Sequence, residues 1–269
     1  MAKSRVMVVE DDRIIADHIQ ATLNSLGYGV TALVSSGEEA VKKAERDNPD
    51  IVLMDIVLKG EMDGVEAASQ IRSRMGIPIV FLTAFSDQKI LERAKLTEPF
   101  GYLIKPFEDR ELHSNIEVAL YKHKMEKRLK ESEEWLSTTL NSIGDAVIAT
   151  DTQGYVIFMN PVAQELTGWK QNEISGKSLN EVFNIINEKT GEPAENPVLK
   201  VIQKGTIVGL ANHTVLVTKD GKKVPIDDSG APIKNDRGET IGVVLVFRDI
   251  TERKKAEEKL KKLSRGKGK

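Results

Sequence analysis

The first 106 residues alternate short apolar runs with stretches of helical spacing, five times in all. The runs are continuous, which is typical of strands covered on both faces of a sheet. The clearest runs occupy residues 6–9, 51–54, 79–82 and 102–104. After the first run, Ile15, Ile19, Leu23 and Leu26 recur at helical spacing, and Gly27 ends the pattern. We therefore predict a doubly wound α/β domain of about a hundred residues.

Short polar side chains mark the starts of the predicted helices. Two pairs have the spacing of a capping box, and two further residues can cap a helix alone. The pairs are Ser36 with Glu39 and Asp63 with Glu66, and the single caps are Asp12 and Ser86.

Residues 107–143 contain neither Pro nor Gly and carry apolar residues every three, four or seven positions. The stretch 121–134 is mostly charged, and His123 and Glu126 interrupt a coiled-coil register. We predict one long helix that closes the first domain and continues as a connector. Two helices with a solvated hinge are the alternative.

Residues 144–250 show an α+β pattern. Strands at 146–149 and 156–159 flank a hairpin turn, and Pro161 opens a short helix. Helical segments are expected from there to about Gly205.

The remaining strands of this region are predicted on either side of residues 219–222 and at 241–247. A final helix begins near Thr251 with Asp249 as its cap, and residues 264–269 are expected to be disordered. We therefore predict that residues 144–250 form an antiparallel sheet with helices inserted on one side.

The whole chain of 269 residues has room for about two domains. We predict four segments. Residues 1–122 form the first domain, 123–136 a helical connector, 137–250 the second domain, and 251–269 a C-terminal helix with a disordered basic tail.

Composition narrows the class of protein. The net charge of -2 gives no bias toward nucleic acid or membrane. The absence of cysteine excludes disulfides, thiolate metal sites, a cysteine nucleophile and a photochemical cysteine adduct. No apolar stretch is long enough to span a bilayer, and no signal peptide is evident, so we expect a cytoplasmic protein without membrane contact.

Polar side chains come directly after four of the buried runs. These side chains are Glu10, Asp11, Asp55, Thr83 and Lys105. The carboxyl ends of parallel strands meet at one edge of a sheet, so we expect the five to converge. Three carboxylates, a hydroxyl and an ammonium suit a divalent cation and a phosphoryl group.

Five separated segments, 8–12, 52–55, 63–64, 81–84 and 102–107, match a known family in order and spacing. Through them, the first domain resembles a receiver domain of a two-component response regulator. The resemblance implies a flavodoxin-like sheet of five parallel strands. It also implies that Asp55 accepts a phosphoryl group from the phosphohistidine of a histidine kinase or phosphotransfer protein.

The resemblance also implies a cofactor, Mg²⁺. Its expected ligands are Asp11, Asp55 and the main-chain carbonyl of Val57, with Glu10 reaching the ion directly or through water. The loop at 56–62 departs from the family pattern, because it lacks the common Met-Pro and is one residue longer.

Three further roles follow from the same resemblance. Lys105 pairs with the carboxylate and then with the phosphoryl oxygen, and Thr83 donates its hydroxyl to the phosphoryl group. Tyr102 occupies the position of an aromatic rotameric switch.

The second domain resembles a PAS domain of the sensory S-box type. The residues that carry the resemblance lie at 143–151, 160–163, 166–169, 219–221 and 249–253. Such domains cradle a ligand between helices and sheet, or dimerise through flanking helices. We expect a homodimer through the connector helix and this domain.

The ligand of the second domain is left open by the sequence. His213 is its only histidine, and a lone histidine is more often a surface or hydrogen-bonded residue than a haem ligand. We expect neither haem nor flavin. Asp227 and Asp228 could line a cleft or face water, and we interpret them as structural.

The favoured hypothesis is a phosphorylation-controlled signalling protein, not an enzyme, whose second domain relays the change by protein contact. Residues 252–263 contain no histidine, and no Gly-rich ATP-binding region follows. One alternative is a fragment of a hybrid sensor histidine kinase. The other is a DNA-binding regulator acting through residues 253–269, although nine basic and two acidic residues there also suit a solvated helix end.

Overall fold

The computed structural model describes residues 3–84, 88–95, 97–194, 198, 201–202, 206, 208–209 and 214–266. The chain divides into two compact units, Met1–Ser132 and Glu133–Lys269. The predicted cap Ser86 and the lone histidine His213 lie outside the described residues.

The first unit contains a parallel sheet with strand order β2-β1-β3-β4-β5. Its strands are β1 (Arg5–Val9), β2 (Gly29–Val34), β3 (Ile51–Asp55), β4 (Ile79–Thr83) and β5 (Gly101–Ile104). Its helices are α1 (Arg13–Ser25), α2 (Gly37–Asp47), α3 (Gly64–Met75), α4 (Gln88–Lys95) and α5 (Asp109–Asn141). The predicted sheet of five parallel strands is confirmed.

Alternate residues of the central strands enter two different hydrophobic cores. Met7 and Val52 belong to one cluster, and Val8 and Leu53 belong to the other. All four side chains are fully buried, and each such burial contributes roughly 1.5–3 kcal/mol. Both faces of the sheet therefore need apolar residues, which explains the continuous apolar runs.

The predicted helix caps in the described part of the first unit form hydrogen bonds to the backbone. Asp12 accepts from two amides of the first turn of α1. Ser36 accepts from the Glu39 amide at 3.4 Å, and Asp63 accepts from the Glu66 amide at 2.8 Å. Asp12 is thus engaged with α1, as its interpretation as a cap required.

Helix α5 is a single helix of 33 residues, which confirms one long helix and excludes the two-helix alternative. Leu112, Ile116 and Ala119 on its first half are buried in the first unit. The charged stretch that follows is rich in good helix formers and contains no Gly or Pro, so nothing breaks the backbone hydrogen bonding.

The second unit is built on an antiparallel sheet with strand order β7-β6-β12-β11-β10-β8, and β9 pairs with β11. The described strands are β6 (Ala146–Thr150), β7 (Val156–Met159), β8 (Asn184–Asn187), β9 (Val208–Gly209), β10 (Thr214–Val217), β11 (Lys223–Lys234) and β12 (Thr240–Asp249). The described helices are α6 (Pro161–Thr167), α7 (Leu179–Val182) and α8 (Thr251–Gly266), with a 3₁₀ turn at Gln171–Glu173. The predicted α+β class is confirmed.

Two local predictions in this unit are wrong in part. The region in which helical segments were expected up to Gly205 does contain α7 and helical residues at 198 and 201–202, but it also contains strand β8, because Ile185 and Ile186 pair with Leu216 and Val215 of β10. Residues 264–266, expected to be disordered, belong to α8, whose start is rich in Glu and Lys and carries an Arg253–Glu257 ion pair at i,i+4 spacing. Asp249 lies two residues before the first residue of this helix, and its carboxylate accepts from the Thr251 amide at 2.7 Å.

Asn160 joins three segments at the start of this fold. It is fully buried, and its Oδ1 accepts from the amides of Val147 and Ala163 at 2.9 Å each. Its amide nitrogen donates to the Asp145 carbonyl at 2.8 Å. One side chain therefore caps α6 and fixes the approach to β6.

Gly64 lies against the end of β3 and controls how the chain leaves that strand. A Cβ on Gly64 would lie 1.8 Å from the Asp55 carbonyl oxygen, so only glycine allows this contact. The Gly64 amide also donates to the Ile56 carbonyl at 3.1 Å.

Replacing Gly64 by Ala should destabilise the first unit by about 1–3 kcal/mol, because the backbone must move to relieve the clash. The control is Gly29→Ala, where the nearest atom to the new methyl is the Ser4 carbonyl oxygen at 4.0 Å. Urea unfolding followed by circular dichroism measures both. Equal stability of the two variants would contradict the contact.

Candidate functional site

A buried ion cluster lies at the carboxyl edge of the parallel sheet. Lys105 Nζ lies 2.7 Å from Asp55 Oδ2 and 2.5 Å from Glu10 Oε2. Glu10 and Asp55 are 3% and 8% exposed, so both carboxylates have lost most of their water. Because a buried charge without a partner is strongly destabilising, the ammonium of Lys105 is what keeps the two acids together.

The titration of this cluster follows from burial and pairing. Burial raises the pKa of Glu10, and the hydrogen bond from Lys105 only partly offsets this effect. Burial opposes the charge on Lys105, yet its hydrogen bonds to Asp55 and Glu10 raise its pKa above the ordinary value. Lys105 therefore remains an ammonium ion.

Asp11 completes a group of carboxylates that fits a hard divalent cation. Glu10, Asp11 and Asp55 each offer an oxygen, and these atoms lie within 4.8 Å of one another. Carboxylate oxygens are the ligands that Mg²⁺ prefers. The donor set therefore suits Mg²⁺ in chemistry.

Val57 and Thr83 lie at the same edge but contact the cluster through their backbones. The Val57 amide donates to Asp55 Oδ1 at 3.1 Å. The Thr83 carbonyl accepts from the Lys105 amide at 2.8 Å, which fixes the start of the lysine side chain beside β4. Among the described contacts, the Thr83 side chain makes no hydrogen bond to Asp55 or Lys105.

Tyr102 is half-buried on β5 and stacks on Phe81, with ring centroids 5.9 Å apart. Its hydroxyl is buried and has no hydrogen-bond partner in the described part of the chain. Burial raises the pKa of this hydroxyl. The Tyr102 ring is therefore held inward by packing, and its hydroxyl gains no hydrogen bond from the described residues in that position.

Lys59 is a charged neighbour of the site that the sequence patterns do not identify. Its Nζ lies 3.0 Å from Asp11 Oδ2. It belongs to the loop at 56–62 that is one residue longer than the family pattern. That departure is the signal that could have identified it.

Comparisons with known proteins find a family match in each of the two units. The family model of the response regulator receiver domain matches residues 6–117, and the PAS fold model matches residues 140–255. The transcriptional regulatory protein PdtaR of Mycobacterium tuberculosis is 40% identical over 116 residues, which cover 43% of this chain and 56% of PdtaR. The DNA-binding response regulator MtrA of Mycolicibacterium smegmatis is 30% identical over 169 residues, which cover 61% of this chain and 69% of MtrA.

The chain belongs to the response regulator receiver family. A PAS domain follows the receiver domain in the same chain. The chain spans about half the length of several curated relatives that it matches. Among solved structures, the receiver domain of a modulated diguanylate cyclase from Desulfovibrio desulfuricans G20 is 43% identical, covers 46% of this chain and 99% of its own, and has a TM-score of 0.46.

The PAS domain contains a buried acid that differs from its neighbour. Asp227 is exposed, whereas Asp228 is 8% exposed. Asp228 lies on the same face of β11 as the buried Val224 and Ile226. Asp228 Oδ2 has no hydrogen-bond partner in the described part of the chain. Burial, with a smaller effect of the Asp227 charge, raises the pKa of Asp228 to about 7.

An unpaired oxygen is not what a structural acid shows, because buried polar groups are normally hydrogen-bonded. The interpretation of Asp228 as structural therefore lacks the contact it needs.

None of the helices in the described residues is long and apolar enough to cross a membrane.

The stability of the PAS domain should fall with rising pH because of Asp228. Its pKa in the folded state, about 7, exceeds the ordinary 3.8, so the folded state holds the proton more tightly. The contribution of Asp228 to stability is full below about pH 4, falls up to about pH 7 and is constant above, with a total loss of up to about 4 kcal/mol.

Asp228→Asn should remove this dependence on pH. The stability of the variant should equal that of the parent near pH 4 and exceed it at pH 8. Both tryptophans, Trp135 and Trp169, lie in the second unit, so tryptophan fluorescence during urea unfolding reports on it. Asp227→Asn is the matched control and should retain most of the fall. A stability difference between Asp228→Asn and the parent that is the same at pH 4 and pH 8 would contradict the assignment.

Proposed function

We propose that this protein is a response regulator that takes a phosphoryl group on Asp55 and relays the change through α5 to its PAS domain. The observation that carries the proposal is the Asp55 carboxylate, which pairs with the Lys105 ammonium and offers an oxygen within 4.8 Å of oxygens of Glu10 and Asp11. This combination offers a nucleophile, a fixed cation and a site for a second cation.

The proposed reaction is transfer from the phosphohistidine of a histidine kinase or phosphotransfer protein. An Asp55 oxygen attacks phosphorus, the P–N bond to the histidine breaks as the P–O bond forms, and the imidazole nitrogen takes up the electron pair. A carboxylate needs no deprotonation near neutral pH. Lys105 is positioned to bond the phosphoryl oxygen as well as the carboxylate.

Mg²⁺ would be held by Asp11, Asp55 and the main-chain carbonyl of Val57, with Glu10 direct or through water. When bound, the ion neutralises charge shared by the carboxylate and the phosphoryl group. The chain's own contribution is to hold the carboxylates within 4.8 Å of one another. At about 4 Å, two like charges repel by roughly 4 kcal/mol at an effective dielectric of 20. The cation offsets this repulsion.

The proposed switch uses Thr83 and Tyr102. Phosphorylation adds a charge of about -1.5 to -2 at Asp55, and the Thr83 hydroxyl moves to donate to it. The space that the Thr83 side chain leaves admits the Tyr102 ring. The Tyr102 hydroxyl has no partner among the described residues, so it loses no hydrogen bond by moving. Moving an equilibrium from 1:99 to 99:1 takes about 5.5 kcal/mol, to which two charge-assisted bonds contribute.

The proposed path of the signal is α5. In this account residues 1–122 form the receiver domain, 123–136 the connector, 137–250 the PAS domain and 251–269 the C-terminal segment. Apolar side chains on α5 remain exposed at Val118, Tyr121, Leu129 and Leu136. We infer that they contribute to a homodimer and that the output is a protein contact, with no catalytic domain of this chain's own.

DNA binding through the basic end is the weaker candidate. Lys254 of α8 forms an ion pair with Glu188, and Arg253 and Lys255 pair with Glu257 and Glu252. These carboxylates reduce the positive charge that a phosphate backbone would need.

Incubation with Mg²⁺ and acetyl phosphate should add one phosphoryl group to the intact mass, and Asp55→Asn should not be labelled. Asp12→Asn is the control, because Asp12 caps α1. It should be labelled like the parent. Labelling that persists in Asp55→Asn would exclude Asp55 as the acceptor.

Phosphorylation should also shift the protein from monomer toward dimer, because the switch alters the surface that α5 presents. Sedimentation velocity of the full chain, with and without acetyl phosphate, measures this. Asp55→Asn should sediment alike under both conditions. An unchanged sedimentation coefficient of the fully phosphorylated parent would count against the relay.

A further inference from the structure

The loop between β3 and α3 brings a second ammonium to the acidic cluster. Lys59 Nζ lies 3.0 Å from Asp11 Oδ2. The Lys59 side chain is 86% exposed, whereas the Asp11 side chain is 15% exposed. The lysine therefore reaches from solvent to a carboxylate that is largely enclosed.

The loop is anchored on both sides of Lys59. Leu58, directly before it, is 8% exposed and belongs to a hydrophobic core. After it, the Met62 amide donates to Glu38 Oε1 at 3.0 Å. Gly60 adopts a φ of +141°, which turns the chain between these two anchors.

Contact with α2 fixes the far side of the same loop. A Cβ on Gly37 would lie 2.7 Å from the Met62 carbonyl oxygen, so the first residue of α2 leaves room for the loop. The position of Lys59 is thus set by packing of its neighbours, and the approach to Asp11 is a property of the loop.

The charges of the acidic cluster indicate the role of the Lys59 ammonium. Glu10, Asp11 and Asp55 carry three negative charges, and Lys105 already pairs with two of them. Lys59 pairs with the third, Asp11. Lys59 occupies Oδ2 of the Asp11 carboxylate, and its positive charge disfavours a divalent cation on either oxygen of that group.

We propose that Lys59 is a positioning residue that competes with the divalent cation for Asp11 and so sets the Mg²⁺ affinity of the receiver. This inference rests on the proposed function, because it takes Asp11 to be a ligand of Mg²⁺. The consequence is an acidic pocket that keeps Asp11 paired without the ion and releases it when the ion binds.

The size of the effect follows from the exposure of Lys59. Ion pairs with an exposed partner are weak, so removing the competitor should tighten Mg²⁺ binding by about two- to fivefold. The measurement is isothermal titration calorimetry of MgCl₂ into the full chain. Lys59→Met keeps the length of the side chain and removes its charge, and an 86% exposed residue is a safe position for the change.

Lys122→Met is the matched control. Lys122 is an exposed lysine on α5, 13 residues after the helix begins at Asp109, which is about 20 Å along the axis. Lys122→Met removes one positive charge at a distance from the acidic cluster and should leave the dissociation constant for Mg²⁺ unchanged.

Asp11→Asn separates this inference from the proposed function. Asp11→Asn alone should weaken Mg²⁺ binding, and adding Lys59→Met to it should cause no further change, since the two residues act as a pair. Lys59→Met that binds Mg²⁺ no tighter than the parent would overturn the inference and leave the Mg²⁺ site intact. Tightening that persists with Asp11→Asn, or that Lys122→Met reproduces, would overturn it as well. Asp11→Asn with parental affinity would instead refute the proposed Mg²⁺ site.

Discussion

The ammonium of Lys105 between two buried carboxylates is the interaction on which the receiver domain depends. Glu10 and Asp55 end up side by side because β1 and β3 are neighbours in a parallel sheet and both strands end there. Without Lys105, two acids with little water would face each other with no cation beside them, which is strongly destabilising. Lys105 pairs with both carboxylates, and Asp11 adds a third carboxylate oxygen within 4.8 Å of theirs. The position of Asp55, the proposed phosphoryl acceptor, and its electrostatic support are therefore consequences of strand order.

The two domains handle a buried acid in different ways. In the receiver, Asp55 is 8% exposed and hydrogen-bonded to Lys105. In the PAS domain, Asp228 is equally buried, but its Oδ2 has no partner among the described residues, and its pKa rises to about 7. The first arrangement preserves a charge for chemistry, and the second makes the stability of the PAS domain depend on pH.

Much of this structure follows from local sequence rules, and the exceptions depend on packing between distant segments. The strand-end residues were predicted to converge because parallel strands share a carboxyl edge, and Asp12 was separable from them because it begins a helix. Strand β8 was missed because its pairing with β10 joins segments about thirty residues apart. The Lys59–Asp11 pair depends on the path of an atypical loop, and the burial of Asp228 depends on which face of β11 meets the core. Spacing along the chain does not carry the path of the loop, whereas the two-residue period of β11 does place Asp228 on the same face as Val224 and Ile226.

The central claim is that the phosphoryl group resides on Asp55 itself, and chemical mapping of the modified residue tests it most directly. Borohydride reduces an acyl phosphate and converts a phosphorylated aspartate to homoserine. After treatment of the phosphorylated full chain, peptide mass analysis should find homoserine at position 55, within the peptide that contains the end of β3 (Ile51–Asp55). Homoserine at Asp11 or Asp12, with Asp55 unmodified, would contradict the account.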